Sequence, residues 1–174
     1  MNSFFLCINP LIVPPEGVTG YIYHYDKPRF FASIQSIDHE TEAKDLHAPG
    51  PNIVFIYERG DGLKQLVSLV IDQKIDRATD NLDTALTQAA GWYAGCLARQ
   101  DADTYSKSKW SLLMDYNKLT PQLKIIELTS FNKYLVSHPD GIFTFDNTDT
   151  LDNFLNQTLE YTDEQLEEGY HNFF

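Results

Sequence analysis

Apolar and polar positions along the first seventy or so residues follow a period of two, as half-buried strands require. In "VTGYIYHYD" the alternation puts Tyr21, Tyr23 and Tyr25 on one face and Ile22, His24 and Asp26 on the other. "RFFASIQSI" continues in the same style after Lys27-Pro28. "NIVFIYERGDGLKQLVSLVID" predicts a hairpin, with β-rich runs flanking Gly60-Asp61-Gly62, where glycine can take the positive φ of a tight turn. Its apolar runs predict strands buried on both faces, or nearly so.

The period then changes. In "TDNLDTALTQAAGWYAGCLARQ" residues Leu82, Ala85, Leu86, Ala89, Ala90, Tyr93 and Leu97 form one helical stripe. Thr79, Asp80 or Asn81 supplies an N-cap, and Asp83 falls in the first turn. Small residues at Ala89, Ala90, Ala94 and Gly95 suit close packing on a sheet. A second helix is expected over roughly Thr104–Lys118, with Tyr105, Leu112, Leu113, Tyr116 and Leu119 inward.

The last third mixes signals. Leu123–Thr129 reads equally as helix or strand, since Thr120-Pro121 suits a helix start but "LKIIEL" suits a strand. "KYLVSHPDGIFTFD" predicts a second hairpin around Pro139-Asp140-Gly141. "TDTLDNFLNQTLE" predicts a helix with Leu151, Phe154, Leu155 and Leu159 on one side. Thr162 with Gln165 forms a capping box for a short final helix. No internal repeat or linker interrupts the pattern. The expectation is one α+β domain over residues 1–174. An N-terminal, mostly antiparallel sheet packs on the Ala-rich helix, with a further hairpin and short helices at the C-terminal end.

Composition supports a packed core: of 174 residues, 10 are Tyr and 11 are Phe, and disordered chains are poor in aromatics. Cys7 and Cys96 lie far apart, without zinc-type spacing, and read as reduced thiols of a cytoplasmic protein. The N-terminal run lacks a preceding Lys or Arg, and Leu6 rather than a small residue precedes Cys7, so neither a signal peptide nor a lipoprotein box is expected. No apolar run nears the ~20 residues of a membrane helix.

Net charge is −12. Duplex binding rests on Lys and Arg contacts to phosphate, so direct nucleic-acid binding is not expected, nor is attachment to an anionic membrane. The charge is also uneven. Beyond Lys133 there is no Lys or Arg, yet nine carboxylates follow, from Asp140 to Glu168.

Chemistry-bearing residues are sparse. Ser36 to Gly50 holds His39 and His47 among Asp38, Glu40, Glu42 and Asp45, but "HETEA" has Ala43 where the HExxH zinc motif needs its second histidine. On a helix His39 and His47 would stand ~12 Å apart at ~1.5 Å per residue, too far to share an ion held by ~2 Å bonds. The segment reads as a solvated connector, and no metal or cofactor is expected. His24 and Asp26, ~7 Å apart on one strand face, fit a half-solvated sheet face better than a catalytic pair. His138 and His171 read as surface residues, and Cys96 as an inert thiol. Ser106–Trp110, "SKSKW", reads as the solvated face of the second helix. Nucleophile-elbow, P-loop, CxxC and dinucleotide fingerprints are missing from the chain.

These readings converge on a non-enzymatic, intracellular interaction protein. Its acidic, aromatic C-terminal third would bind a basic protein partner through Asp163, Glu164, Glu167 and Glu168. Inhibitor, immunity-like and nucleic-acid-mimic roles all fit. The alternative is a small-molecule-binding domain or enzyme with a pocket near His24 and Asp26. Strand order, the identity of the partner and homo-oligomerisation stay open at this level.

Overall fold

The computed structural model describes residues 3–7, 14, 17–37, 52–75, 81–101, 108–115, 124–138, 141–157, 162, 164, 167 and 170–172. They belong to two compact units, one from Met1–Ile37 with Gly50–Asn117 and the other from Asp38–Pro49 with Lys118–Phe174. The α+β class expected from the sequence holds.

The first unit is a six-stranded sheet with one helix. Its strands are β1 (Phe4–Cys7), β2 (Val18–His24), β3 (Phe30–Ile37), β4 (Asn52–Glu58), β5 (Lys64–Lys74) and β6 (Lys109–Asp115). Their order across the sheet is β1-β2-β3-β5-β4-β6, and each neighbouring pair is antiparallel. The β4–β5 hairpin closes from Glu58 opposite Lys64. Gly62, at φ +90°, supplies the left-handed residue, and its amide donates to the Arg59 carbonyl at 2.8 Å. As the apolar runs predict, Asn52–Tyr57 and Leu66–Ile71 are buried at every position, hence on both sheet faces.

Helix α1 (Leu82–Asp101) covers one face. Ile53, Phe55, Val67 and Leu69 from the sheet meet Leu82, Ala85, Leu86, Ala89, Ala90 and Ala94 from the helix. Burying a large side chain such as Leu86 or Phe55 contributes roughly 1.5–3 kcal/mol. The small residues between them let the axis approach the strands. Of the two helix glycines it is Gly91, not Gly95, that lies against a neighbour. A Cβ on Gly91 would sit 3.1 Å from the Trp110 ring, whereas one on Gly95 would meet nothing within 4 Å. Asn81, at φ +64°, precedes the helix, and its carbonyl accepts the Ala85 amide. Thr79 and Asp80 lie outside the described residues.

The expected second helix is corrected. Lys109–Asp115 is strand β6, running antiparallel to β4 with Trp110 opposite Tyr57 and Leu112 opposite Phe55. The outer edge of β4 offers a row of backbone donors and acceptors, and a seven-residue run with Trp110 and Leu112 two apart satisfies it. That tertiary demand outweighs the helical spacing of Leu112, Leu113 and Tyr116. Lys109 is accordingly an exposed residue of an edge strand and not part of a helix face.

The second unit contains β7 (Lys124–Leu128), β8 (Lys133–His138), β9 (Gly141–Phe145), α2 (Thr148–Gln157) and β10 (Tyr170–Asn172). The sheet order is β10-β7-β8-β9. Only the short β10, which the sequence did not suggest, pairs in parallel. Leu123–Thr129, open from sequence, resolves as strand over Lys124–Leu128, where Ile125, Ile126 and Leu128 are all buried. The chain turns at Asn132, a left-handed residue at φ +50°, a conformation that asparagine tolerates better than most residues. Ile125, Val136 and Phe143 line the sheet face that receives Leu151, Phe154 and Leu155 of α2. Asn147 caps α2, its side-chain oxygen accepting the Thr150 amide at 2.9 Å. Glu164 and Glu167 are helical. Gln165 of the capping box and Leu159 lie outside the described residues.

Candidate functional site

Dividing the charge by compact unit sharpens what the sequence showed. The second unit carries 14 carboxylates against four lysines, a net −10, leaving −2 for the first. One of those lysines is not at the surface. The Lys133 side chain is 3% exposed, with its Nζ 2.5 Å from Asp146 Oδ1, while Asp146 is 42% exposed. The ion pair withdraws the last base of the chain from the unit's surface. Among the other carboxylates of the acidic run, Asp149 occupies the first turn of α2, where the helix dipole favours it. Asp152, Glu164 and Glu167 are exposed. Asp163 and Glu168, the other two residues assigned to partner binding from sequence, lie outside the described residues, as do Asp140 and Glu160.

His24 and Asp26 occupy different surroundings. His24 is only 4% exposed, which corrects the solvated face expected for it. Its ring stacks on Phe4 at 4.7 Å and tilts against Phe30 at 5.1 Å. Nδ1 lies 2.7 Å from the Pro28 carbonyl oxygen. A carbonyl only accepts, so Nδ1 carries the proton there. The reason for the correction is β1, which pairs outside β2 with Phe4 opposite His24. Strand β2 is therefore interior, and the Ile22–His24 face belongs to the core beneath α1. Asp26 lies past the end of β2, exposed, and accepts a hydrogen bond from the Ser3 hydroxyl.

One polar cluster was not legible in advance. The Tyr57 hydroxyl stands 2.7 Å from Asp101 Oδ2 and 2.9 Å from Ser108 Oγ. A phenol has one proton, so Tyr57 donates to the carboxylate and accepts from the serine. Burial is the main influence on Tyr57 and raises its pKa above 10.0; the Ser108 hydrogen bond opposes this and the one to Asp101 adds to it. The three residues come from β4, the last residue of α1 and the approach to β6, 44 and 51 positions apart in the chain. The cluster ties the helix end to the sheet, and no spacing rule would have found it. A second exposed pair sits in the hairpin turn, where the Arg59 guanidinium donates to both Asp61 oxygens at 3.0 and 2.7 Å. Those bonds hold the Asp61 carboxyl at about 2, below its ordinary 3.8.

Among the described residues no group of three or more His, Cys, Asp or Glu side chains is placed to hold a metal ion. His39 and His47, with the whole 38–51 segment, lie outside them. No described helix is long and apolar enough to cross a membrane. The chain matches no family model, no curated protein and no solved structure.

Proposed function

We propose that this is a non-enzymatic interaction protein whose second unit docks on a basic surface of a partner protein, as an inhibitor or neutralising partner does. The observation that supports it is the partition of charge, with −10 of the net −12 in the second unit and the last base of the chain, Lys133, already committed to Asp146. Acids gathered without bases destabilise a fold by self-repulsion, and a basic partner relieves that repulsion. Complementary charge also accelerates encounter, while buried aromatic anchors provide most of the affinity of typical interfaces. Exposed Glu164 and Glu167, with Asp163 and Glu168, form the steering group in this reading. The free thiols Cys7 and Cys96 suit a cytoplasmic setting.

The test replaces Glu164, Glu167 and Glu168 together by Gln, which keeps size and helix propensity. Proteins captured from an extract by the wild-type chain are identified, and association rates are measured for both forms. Basic partners and an on-rate about tenfold slower at low salt are expected, since steering depends on summed charge. The difference should shrink near physiological ionic strength, where the screening length is ~8 Å. Equal rates at low salt, or partners without a basic surface, would refute the proposal.

A further inference from the structure

Two polar side chains interrupt the apolar runs of β4 and β5 at the centre of the six-stranded sheet. Asn52 is 1% exposed and Ser68 is 0% exposed. In the register of the hairpin Asn52 faces Val70 and Val54 faces Ser68. Residues two apart on a strand share a face, so Asn52 and Ser68 are diagonal neighbours on one face, roughly 7 Å apart at their backbones. That face is turned away from α1, because Ile53, Phe55, Val67 and Leu69 are the residues that pack with the helix.

Neither amide atom of Asn52 nor the Ser68 hydroxyl makes a hydrogen bond within the protein. Ser33, across β5 from Asn52 in the same row, behaves differently. It too is buried, but its hydroxyl lies 3.2 Å from Asp72 Oδ1 and 3.5 Å from the Val70 carbonyl. In these rows of β4 and β5 the unmet demand is one amide and one hydroxyl, which together donate and accept and carry no charge. Buried polar groups in folded proteins are satisfied by protein or by ordered water.

We propose that Asn52 and Ser68 form an internal hydration site, in which an ordered water bridges the amide and the hydroxyl. Water fits the chemistry. The guest must be small, because both side chains are sealed from bulk solvent. It must also be neutral, because the flanking residues on this face, Val54, Ile56, Leu66 and Val70, are apolar and buried. Finally, it must donate and accept at once. Two hydrogen bonds of ~2.9 Å with the lengths of the two side chains span the diagonal gap.

Water-selective NMR on the full-length, isotope-labelled chain tests it. The Asn52 side-chain NH2 protons should show a cross-peak to a long-lived water. Ser68→Ala should abolish that cross-peak or weaken it several-fold, and Ser33→Ala should leave it intact, because Ser33 is bonded elsewhere. A wild-type spectrum without the cross-peak, as rotation into a direct Asn52–Ser68 bond would produce, overturns the proposal without needing any variant. So does a cross-peak of equal strength in Ser68→Ala.

Discussion

Replacing Tyr57 by Phe removes one oxygen and nothing else, so no cavity forms and the effect isolates the cluster at the end of α1. The hydroxyl donates to Asp101 at 2.7 Å and accepts from Ser108 at 2.9 Å. A hydrogen bond to a charged group contributes about 1.5–3 kcal/mol and a neutral one about 0.5–1.5. Asp101 and Ser108 are only half-buried, so water recovers part of both, and the expected net loss is about 1–2 kcal/mol. For a chain of this size that lowers the thermal midpoint by roughly 2–8 °C, at ~2–4 °C per kcal/mol. A double-mutant cycle with Asp101→Asn should show the two substitutions to be non-additive. The pH dependence gives a second readout. Burial raises the pKa of Tyr57 above 10.0 in the native state, so between the unfolded and native values the native chain holds a proton that the unfolded chain has released. Stability then falls as pH climbs past about 10. The Phe variant should fall less steeply there. Some slope should persist, because burial also raises the pKa of Tyr93. An unchanged midpoint at pH 7 together with an unchanged alkaline slope would mean that the hydroxyl is solvated and the helix end is not tied to the sheet.

Two further outcomes test other parts of the fold. Ala90→Trp forces an indole into a fully buried position of the α1 stripe and should cost about 1–3 kcal/mol or more, read as a lower midpoint in calorimetry; an unaltered midpoint would mean that the stripe does not pack on the sheet. Arg59→Gln should raise the Asp61 carboxyl from about 2 toward its ordinary 3.8, with the Leu63 amide still bonded to it, followed by carboxyl NMR titration. A titration that does not move would show that the guanidinium fork is not formed in solution.

Elements with a strong period or a turn residue of defined chemistry were legible in the sequence. The β4–β5 hairpin carries its glycine at the left-handed position, and α1 buries Leu82, Ala85, Leu86, Ala89 and Ala90 in the order its periodicity predicts. Phe143 and Phe145 stand where the second hairpin requires them, flanking the Phe154 ring of α2 at 4.8 and 5.0 Å. What failed was tertiary demand. In Lys109–Asp115, adjacent Leu112 and Leu113 suit either period, and the decision came from the unpaired edge of β4, which no local window contains. The same holds for β10, three residues that pair in parallel with β7 and carry no signal of their own.

The candidate site divides along the same line. Composition alone exposed the acidic run, because a missing base is visible without coordinates. The environment of each group was not visible. His24 has a polar side chain in an alternating strand, and alternation cannot say which face is wet. The answer depended on β1, whose Phe4 ring covers the imidazole at 4.7 Å. Lys133 shows the converse. Counted along the chain it is one more cation offsetting the acids, but in the fold its ammonium is withdrawn to a 3% exposed position beside Asp146. Burying the ammonium is weak evidence for stability, since desolvation opposes the attraction. The pair is neutral, so the net −10 of the unit rests on its other charges. Lys133 is committed to Asp146, while Asp152, Glu164 and Glu167 are exposed. In the proposed reading these exposed carboxylates supply the field that steers a basic partner.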